Sequence, residues 1–241
     1  MSISEAFRIQ RHDVLSPKDG YDIAAPWYDK WHWTQFWKYN ELPMVGNLLN
    51  KLTPGRILDA GTGTGAYRFQ LEDRGHEIVG LDISTKMLEI QAKKERFVSH
   101  TTSVKLLNGD IQHMPFGWSE TFDCIICARV LSHIEDALTT IREFSRVLKK
   151  EGRLILTDVD PAHPYEHVKI SNGSIHSIIR AFKHDHSELT AFFASAHLRI
   201  ELFRRFALQD LYWLPPKDRF AKIYCAPKRP IFFICELIKQ Q

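Results

Sequence analysis

The sequence has few cysteines, no long apolar run and little net charge. Its four cysteines, at positions 124, 127, 225 and 235, lie in apolar stretches rather than in loops. This placement argues against a disulfide framework or a zinc knuckle and predicts a reduced, cytoplasmic protein. The longest purely apolar stretch runs only from Pro230 to Cys235, and the N-terminus has no apolar signal core. Neither a membrane span nor secretion is therefore expected.

The charge balance gives little support to a dedicated nucleic-acid-binding protein. The 241 residues carry 32 basic and 29 acidic side chains, a net charge of +3. Residues 1–144 contribute 16 basic and 19 acidic groups, whereas residues 145–241 contribute 16 and 10. The basic C-terminal part suits an anionic substrate, although a solvated surface has the same composition. We expect a small-molecule substrate and no nucleic-acid or membrane partner, and the sequence leaves the oligomeric state open.

Short apolar strands alternate with amphipathic helices through the middle of the chain. Strands are predicted at 56–59, 77–82, 104–107, 122–128 and 153–158, with helices at 66–74, after Ser84 and at 135–149, and a closing strand at 230–239. This order predicts an α/β fold with a doubly wound parallel sheet that has helices on both faces. We divide the chain into an aromatic-rich N-terminal helical lid (1–45), a cofactor-binding core (46–160), a substrate-lid insertion (161–198) and closing strands (199–241).

Acidic residues stand at the ends of three successive predicted strands. Asp59 precedes the glycine loop Gly61-Thr62-Gly63-Thr64-Gly65, Asp82 ends the second strand, and Asp110 follows the third. Ligands of doubly wound sheets bind outside the carboxyl ends of the strands, where glycines let the backbone approach them closely. Asp82 suits the two hydroxyls of a ribose, and Asp110 suits the amine of an adenine. Asp59 would hold an ammonium group or orient the amides of the loop.

These motifs resemble the class I S-adenosylmethionine-dependent methyltransferases, especially the group that contains ubiquinone and menaquinone C-methyltransferases. The similarity covers residues 45–160 and rests on Asp59-x-Gly61-x-Gly63-x-Gly65, Gly80-Leu81-Asp82, Gly109-Asp110 and Phe122-Asp123 with Val130 to His133 behind it. The resemblance implies S-adenosyl-L-methionine as the cofactor and a doubly wound, Rossmann-like sheet of about seven strands, mostly parallel with one antiparallel strand near the C-terminus. The expected cofactor-binding residues are Tyr28, Asp59, Gly61, Thr62, Gly63, Gly65, Asp82, Ile83, Met87, Asp110, Ile111, Cys127, Ala128 and Arg129.

The N-terminal segment concentrates aromatic side chains. Four of the six tryptophans lie between Trp27 and Trp37, together with Tyr28. An exposed helix would not keep this much aromatic surface, so the segment is expected to pack on the main domain or to close over a pocket. Tyr21 and Tyr28 are candidate lid residues for the cofactor, and the aromatic faces also suit a sulfonium or an ammonium group.

Half of the twelve histidines lie between positions 163 and 197. His184-x-His186 has a spacing found in metal sites, but no matching acidic or cysteine cluster accompanies it, so no metal is predicted. A neutral imidazole removes protons well near neutral pH. His133, His176 and His184 are therefore the candidate catalytic bases.

The sequence favours methyl transfer to a small-molecule acceptor, with O-methylation slightly preferred over N- or C-methylation because a histidine base would serve a hydroxyl. Two alternatives remain open. The spacing Gly61-x-Gly63-x-x-Ala66 also fits an NAD(P)-dependent oxidoreductase. A non-catalytic, cofactor-binding regulatory protein would share the same fold.

Overall fold

A computed structural model describes residues 13–71, 74–96, 103–172 and 175–240. The strands are β1 (Asp13–Leu15), β2 (Arg56–Ala60), β3 (Glu77–Asp82), β4 (Ser103–Asn108), β5 (Phe122–Ala128), β6 (Leu148–Val159), β7 (His167–Asn172), β8 (Ile175–Arg180), β9 (Leu198–Phe206) and β10 (Phe232–Lys239). The α-helices are α1 (Pro17–Ala24), α2 (His32–Tyr39), α3 (Glu41–Leu49), α4 (Thr85–Glu95), α5 (Ala137–Val147), α6 (His186–Ser195) and α7 (Ala221–Tyr224).

Seven strands form one sheet in the order β4-β3-β2-β5-β6-β10-β9. The first five run parallel, and β10 pairs antiparallel with both of its neighbours, β6 and β9. Strand β10 alone therefore runs against the other six. The predicted sheet, with its single antiparallel strand near the C-terminus, is confirmed.

Both faces of the sheet are covered. On one face α5 and α6 bury Ile141, Phe144 and Phe193 in a cluster that contains Cys127. On the other face α2 and α3 bury Phe36 and Leu49 in a cluster that contains Cys124. The two cysteines of C-x-x-C thus point to opposite faces, as expected of residues three apart on a strand, and neither is in a disulfide.

A helix predicted at 66–74 was wrong over its described residues. Turns run from Thr64 to Tyr67, and a 3₁₀ helix covers Arg68–Gln70. Consecutive side chains here are bound in different directions: the Tyr67 hydroxyl donates to Glu41 of α3, and Arg68 pairs with Glu95 of α4. These two tertiary contacts favour a tighter turn than a regular α-helix has.

The insertion after β6 contains a hairpin rather than helices alone. Strands β7 and β8 pair antiparallel, and β1 pairs parallel with β8 in a small three-stranded sheet. Among the described residues, no helix is long and apolar enough to span a bilayer. No group of three or more His, Cys, Asp or Glu side chains in that part of the chain is arranged to hold a metal ion.

Candidate functional site

The loop between β2 and the 3₁₀ helix opens a space beside the sheet. Gly61 and Gly63 have φ angles of +76° and +55°, which side chains with a Cβ rarely adopt. A Cβ on Gly61 would lie 2.3 Å from Val130, whereas a Cβ on Gly63 would meet no atom within 4 Å and would project into a cavity that this residue lines. The missing side chain of Gly63 therefore leaves room for a ligand against the backbone.

Two of the predicted acids support this loop in different ways. Asp59 is 2% exposed, and its Oδ2 accepts a 2.8 Å hydrogen bond from Oγ1 of Thr62. Asp82 Oδ2 accepts from the Gly63 amide and Oδ1 accepts from the Ser84 amide, each at 2.8 Å. Burial raises the pKa of Asp59 to about 7 and that of Asp82 to about 6. A ligand that donates hydrogen bonds to Asp82 would favour its charged form.

The glycine-loop cavity, as we call this space, has a volume of about 610 Å³. Its lining includes eleven of the predicted cofactor-binding residues: Tyr28, Gly61, Thr62, Gly63, Asp82, Ile83, Met87, Asp110, Ile111, Ala128 and Arg129. Three predicted residues lie outside the lining. Asp59 is directed at Thr62, Gly65 packs against Gln91 of α4, and Cys127 is buried in the core.

Two Tyr-Asp pairs of the N-terminal segment cover the cavity. Tyr21 and Tyr28 both line it. Asp22 Oδ1 accepts from the Ser84 hydroxyl at 2.7 Å and from the Lys86 amide at 3.0 Å, which fixes α1 to the start of α4. Asp29 accepts from the Thr64 hydroxyl at 2.7 Å. Each tyrosine thus faces the cavity while the aspartate that follows it binds the core.

A second space, the aromatic cavity, lies beside the first and has a volume of about 640 Å³. It is lined by Trp31, Trp33 and Trp37 of the N-terminal segment, by residues 163–169 after β6, and by residues 218–223. Four residues, Tyr21, Tyr28, Arg129 and His133, line both cavities. The two cavities therefore adjoin along a common wall.

Arg129, which belongs to this wall, is held by a buried carboxylate. It has a φ of +60°, and its guanidinium pairs closely with Glu41 of α3. Glu41 is fully buried and also accepts from the hydroxyls of Tyr67 and Thr157. Burial disfavours the charged guanidinium, but Glu41 together with Tyr67, Tyr28 and Asp158 outweighs burial and raises the pKa of Arg129. Arg129 is thus a fixed cation between the cavities.

The common wall also contains a neutral imidazole paired with a phenol. His133 Nε2 lies 2.8 Å from the Tyr21 hydroxyl. Burial lowers the pKa of His133 to about 4 and raises that of Tyr21 well above its ordinary value. Asp158 Oδ2 accepts from the Ser132 amide at 2.8 Å and fixes the turn that carries His133. At neutral pH both side chains are therefore uncharged, and one hydrogen lies between the Tyr21 oxygen and His133 Nε2.

The other two candidate bases lie away from the cavities. His184 Nε2 lies 2.8 Å from the carbonyl of Ile134 and 3.2 Å from that of Leu131, so it supports the turn around His133. His176 is on β8 and lines neither cavity. Of the three, the structure brings only His133 to a cavity wall.

Several residues of the site carry no motif in the sequence. Glu41 sits in an ordinary helix, and residues 218–223 are far along the chain from the glycine loop. The sequence does not reveal that Glu41 is buried, because most acidic side chains in helices face solvent. The aromatic richness of residues 27–37 did point to a pocket, and three of those tryptophans line one.

The chain resembles known proteins over this region. Residues 58–156 match the sequence profile of a family described as a methyltransferase domain. A demethylmenaquinone methyltransferase of Thermotoga maritima is 33% identical over 135 residues, which cover 55% of this chain and 54% of the relative. The chain spans about half the length of the curated relatives it matches.

Solved structures share the fold over most of the chain. An S-adenosylmethionine-dependent methyltransferase from Mesorhizobium loti superposes with a TM-score of 0.61 at 16% identity and covers 81% of this chain and 96% of its own. A chain in the Haloferax volcanii complex of the Trm112 methyltransferase activator with a putative methyltransferase gives 0.70 at 19% identity, covering 94% and 98%. At these identities the likeness concerns the fold.

Proposed function

Because this chain carries a class I S-adenosylmethionine-dependent methyltransferase domain, we propose that it transfers a methyl group from that cofactor to a small-molecule acceptor. The acceptor atom is proposed to be a hydroxyl oxygen in preference to nitrogen or carbon. The site of action is proposed to be the cytoplasm, with neither nucleic acid nor membrane as a partner.

The observation that carries this proposal is the pair of adjoining cavities. A group-transfer enzyme needs its two substrates in contact along one wall, with water excluded between them. The glycine-loop cavity and the aromatic cavity share Tyr21, Tyr28, Arg129 and His133. One cavity would hold the cofactor and the other the acceptor, with the transferred group at the shared wall.

The residues of the glycine-loop cavity fit S-adenosylmethionine. The carboxylate of Asp82 uses one lone pair of each oxygen on the Gly63 and Ser84 amides, which leaves acceptor capacity for the two ribose hydroxyls. Asp110 lies in the lining where an adenine amine would donate, and Ile83 and Met87 offer apolar contact. Bound there, the cofactor supplies a methyl group activated by a sulfonium.

The proposed role of the chain in the transfer is to position the acceptor and to remove its proton. An acceptor hydroxyl beside Tyr21 would pass its proton to the Tyr21 oxygen while Tyr21 passes its own to His133 Nε2, 2.8 Å away. The acceptor oxygen gains the methyl group, and the sulfur keeps the electron pair of the broken bond. His184 and Asp158 would act by holding the turn that carries His133.

The structure gives less support to the dinucleotide alternative. A dinucleotide pyrophosphate binds at the N-terminus of the helix that follows the glycine loop. In the described residues 64–71, turns and one short 3₁₀ helix take that place. The name of the Thermotoga maritima relative, a demethylmenaquinone methyltransferase, also brings a quinone-related acceptor into consideration.

The test combines binding and turnover. Calorimetry is expected to show S-adenosylhomocysteine binding and no NAD binding. Incubation with methyl-labelled cofactor and a cell extract, followed by mass spectrometry, should label a small molecule. Tyr21→Phe should lower the transfer rate about 100-fold with cofactor affinity retained. NAD binding with neither sulfur ligand would favour the oxidoreductase, and cofactor binding without any labelled product would favour the regulatory protein.

A further inference from the structure

Aromatic side chains form part of the wall of the aromatic cavity. Trp33 stacks on Trp37 with ring centroids 5.6 Å apart and an interplanar angle of 28°. The Trp33 ring also packs edge-on against Phe220, with the ring centroids 4.9 Å apart, and all three residues line the cavity. Aromatic rings pack best on other rings in offset or edge-on arrangements. The lining therefore favours a planar aromatic ligand over a flexible aliphatic one.

His163 lines the same cavity and has a buried imidazole without a hydrogen-bond partner among the described residues. It is 5% exposed and contacts the edge of Trp33 at a centroid distance of 5.8 Å. Neither of its ring nitrogens has a hydrogen-bond partner within the part of the chain that the structure describes. A buried polar group without a partner costs free energy, so such groups in native structures call for an explanation. A ligand in the cavity would supply the missing partner.

The surroundings of His163 are positively charged. Besides burial, the cations Lys183, Lys222 and Arg229 lower the pKa of His163 to about 4, so its ring is neutral and keeps one N–H to donate. The Lys183 ammonium donates a 2.9 Å hydrogen bond to the His163 carbonyl, and Lys222 lines the cavity.

The carboxylate that opposes these cations at His163 is already engaged. Asp160 acts on His163 in the opposite direction to the three cations. Its two oxygens accept from Arg205 at 2.7 and 2.8 Å, and His186 approaches one of them at 3.0 Å. Two further acids, Glu166 and Asp218, lie at the exposed rim, where Asp218 pairs with Arg219. The cations around His163 are left to attract an anion from the ligand.

We infer that the methyl acceptor is a planar aromatic molecule with a carboxylate-class anionic substituent, its ring against Trp33 and its anion on the N–H of His163. This inference rests on the proposed function, since it takes the aromatic cavity as the acceptor site. It narrows the acceptor to phenolic acids and their analogues. The neutral imidazole donates to the anion, and the surrounding cations balance its charge.

The first experiment compares three probes on the wild-type protein saturated with S-adenosylhomocysteine. The probes are 4-hydroxybenzoate, its neutral analogue 4-hydroxybenzamide, and the non-aromatic 4-hydroxycyclohexanecarboxylate. Tryptophan fluorescence or calorimetry should show 4-hydroxybenzoate binding about tenfold more tightly than either analogue, the scale of one charge-assisted hydrogen bond. Equal binding of the amide would overturn the anionic part of the inference, and equal binding of the saturated ring or no binding of 4-hydroxybenzoate would overturn the aromatic part.

Variants then locate the anion. His163→Leu should abolish the preference for the acid over the amide, and His163→Gln, which keeps an N–H donor, should restore part of it. Lys222→Gln should weaken the binding of 4-hydroxybenzoate but not that of 4-hydroxybenzamide. Lys228 is exposed and lies outside the cavity lining, so Lys228→Gln should weaken the binding of neither probe. S-adenosylhomocysteine affinity serves as the folding control. If His163→Leu does not fold, the Lys222 and Lys228 pair decides: equal affinities for 4-hydroxybenzoate in both would refute the assignment.

The two proposals fail in different measurements. Absence of S-adenosylhomocysteine binding would overturn the proposed function whatever the probes do. Normal binding of that cofactor product, together with no discrimination among the probes, would overturn the acceptor inference and leave the proposed function standing.

Discussion

At the scale of single residues, Asp82 supports the glycine loop and is also the proposed acceptor for the ribose hydroxyls of the cofactor. Its carboxylate is 9% exposed and accepts the amides of Gly63 and Ser84. Burial outweighs these two hydrogen bonds and raises its pKa to about 6. Near neutral pH most of the ligand-free protein carries Asp82 as a carboxylate, but a moderate fall in pH protonates it.

Cofactor affinity is therefore expected to depend on pH through the Asp82 carboxylate. Above pH 6 the charged carboxylate accepts the ribose hydroxyls; as the pH falls through about 6, the free protein takes up a proton and binding weakens. Asp82→Asn should weaken S-adenosylhomocysteine binding by about 1–3 kcal/mol at pH 7.5. It should also flatten the pH profile between 5 and 7.5.

Calorimetric titrations at several pH values measure both effects. Glu89→Gln, an acid on the exposed side of α4 paired with Lys86, is the matched control and should keep the wild-type profile. A wild-type profile in Asp82→Asn would remove this carboxylate from the cofactor site.

At the scale of elements, the N-terminal segment is fixed over the glycine-loop cavity by its aspartates. Asp22 accepts from the hydroxyl of Ser84, the N-cap of α4, and from the amide of Lys86 in the first helical turn. A carboxylate at a helix N-terminus is stabilised by the unpaired amides there. One acid thus joins α1 to α4 and keeps Tyr21 over the cavity.

Asp22→Ala is expected to loosen this contact. The loss of a capping carboxylate costs about 1 kcal/mol, and part of that cost should appear as weaker S-adenosylhomocysteine binding, roughly two- to fivefold. Limited proteolysis should cut the N-terminal segment faster in the variant, and cofactor should slow the cutting. Asp19→Ala removes an acid of the same helix whose carboxylate accepts from the Ser16 hydroxyl and, within the described residues, forms no hydrogen bond with α4, so it should leave both readouts unchanged. Equal proteolysis of the two variants would contradict the role of Asp22.

At the scale of the whole molecule, Glu41 connects three parts of the fold. It lies on α3, its carboxylate accepts from Tyr67 after the glycine loop and from Thr157 on β6, and it pairs with Arg129 at the end of β5. Arg129 also lies over the rings of Trp37 and Tyr67 at 5.5 and 5.9 Å. The N-terminal helices, the loop and the sheet therefore meet at one buried ion pair.

Glu41→Ala should lower the free energy of unfolding by about 3 kcal/mol, because it leaves the guanidinium of Arg129 largely buried without its counter-charge. Urea denaturation monitored by tryptophan fluorescence measures this change. Glu201→Ala, which breaks a pair with Arg199 on the exposed face of β9, should cost less than about 0.5 kcal/mol. Similar losses of unfolding free energy in the two variants would show that the buried ion pair stabilises the fold no more than the exposed one.

Much of the fold was predictable because its signals are local. The strands at 77–82 and 122–128 were predicted with the bounds that the structure has, since each is a nearly continuous apolar run that ends at a polar residue or a loop. Ser84 was predicted as a helix cap and accepts the Met87 amide at 3.1 Å. The helix at 66–74 failed because its side chains bind distant acids, which no local pattern reveals.

The sequence by itself determined the doubly wound parallel sheet and put Asp82 and Asp110 at the carboxyl ends of successive strands, whereas the antiparallel strand came from the family resemblance. Periodicity fixes which face of an element is buried, and parallel strands bring their carboxyl ends to one edge. Only the tertiary structure decided that Asp59 supports Thr62, that His133 meets Tyr21, and that His163 lines a cavity with no hydrogen-bond partner among the described residues. Those contacts join residues from separate elements, and their distances depend on how the elements pack rather than on spacing along the chain.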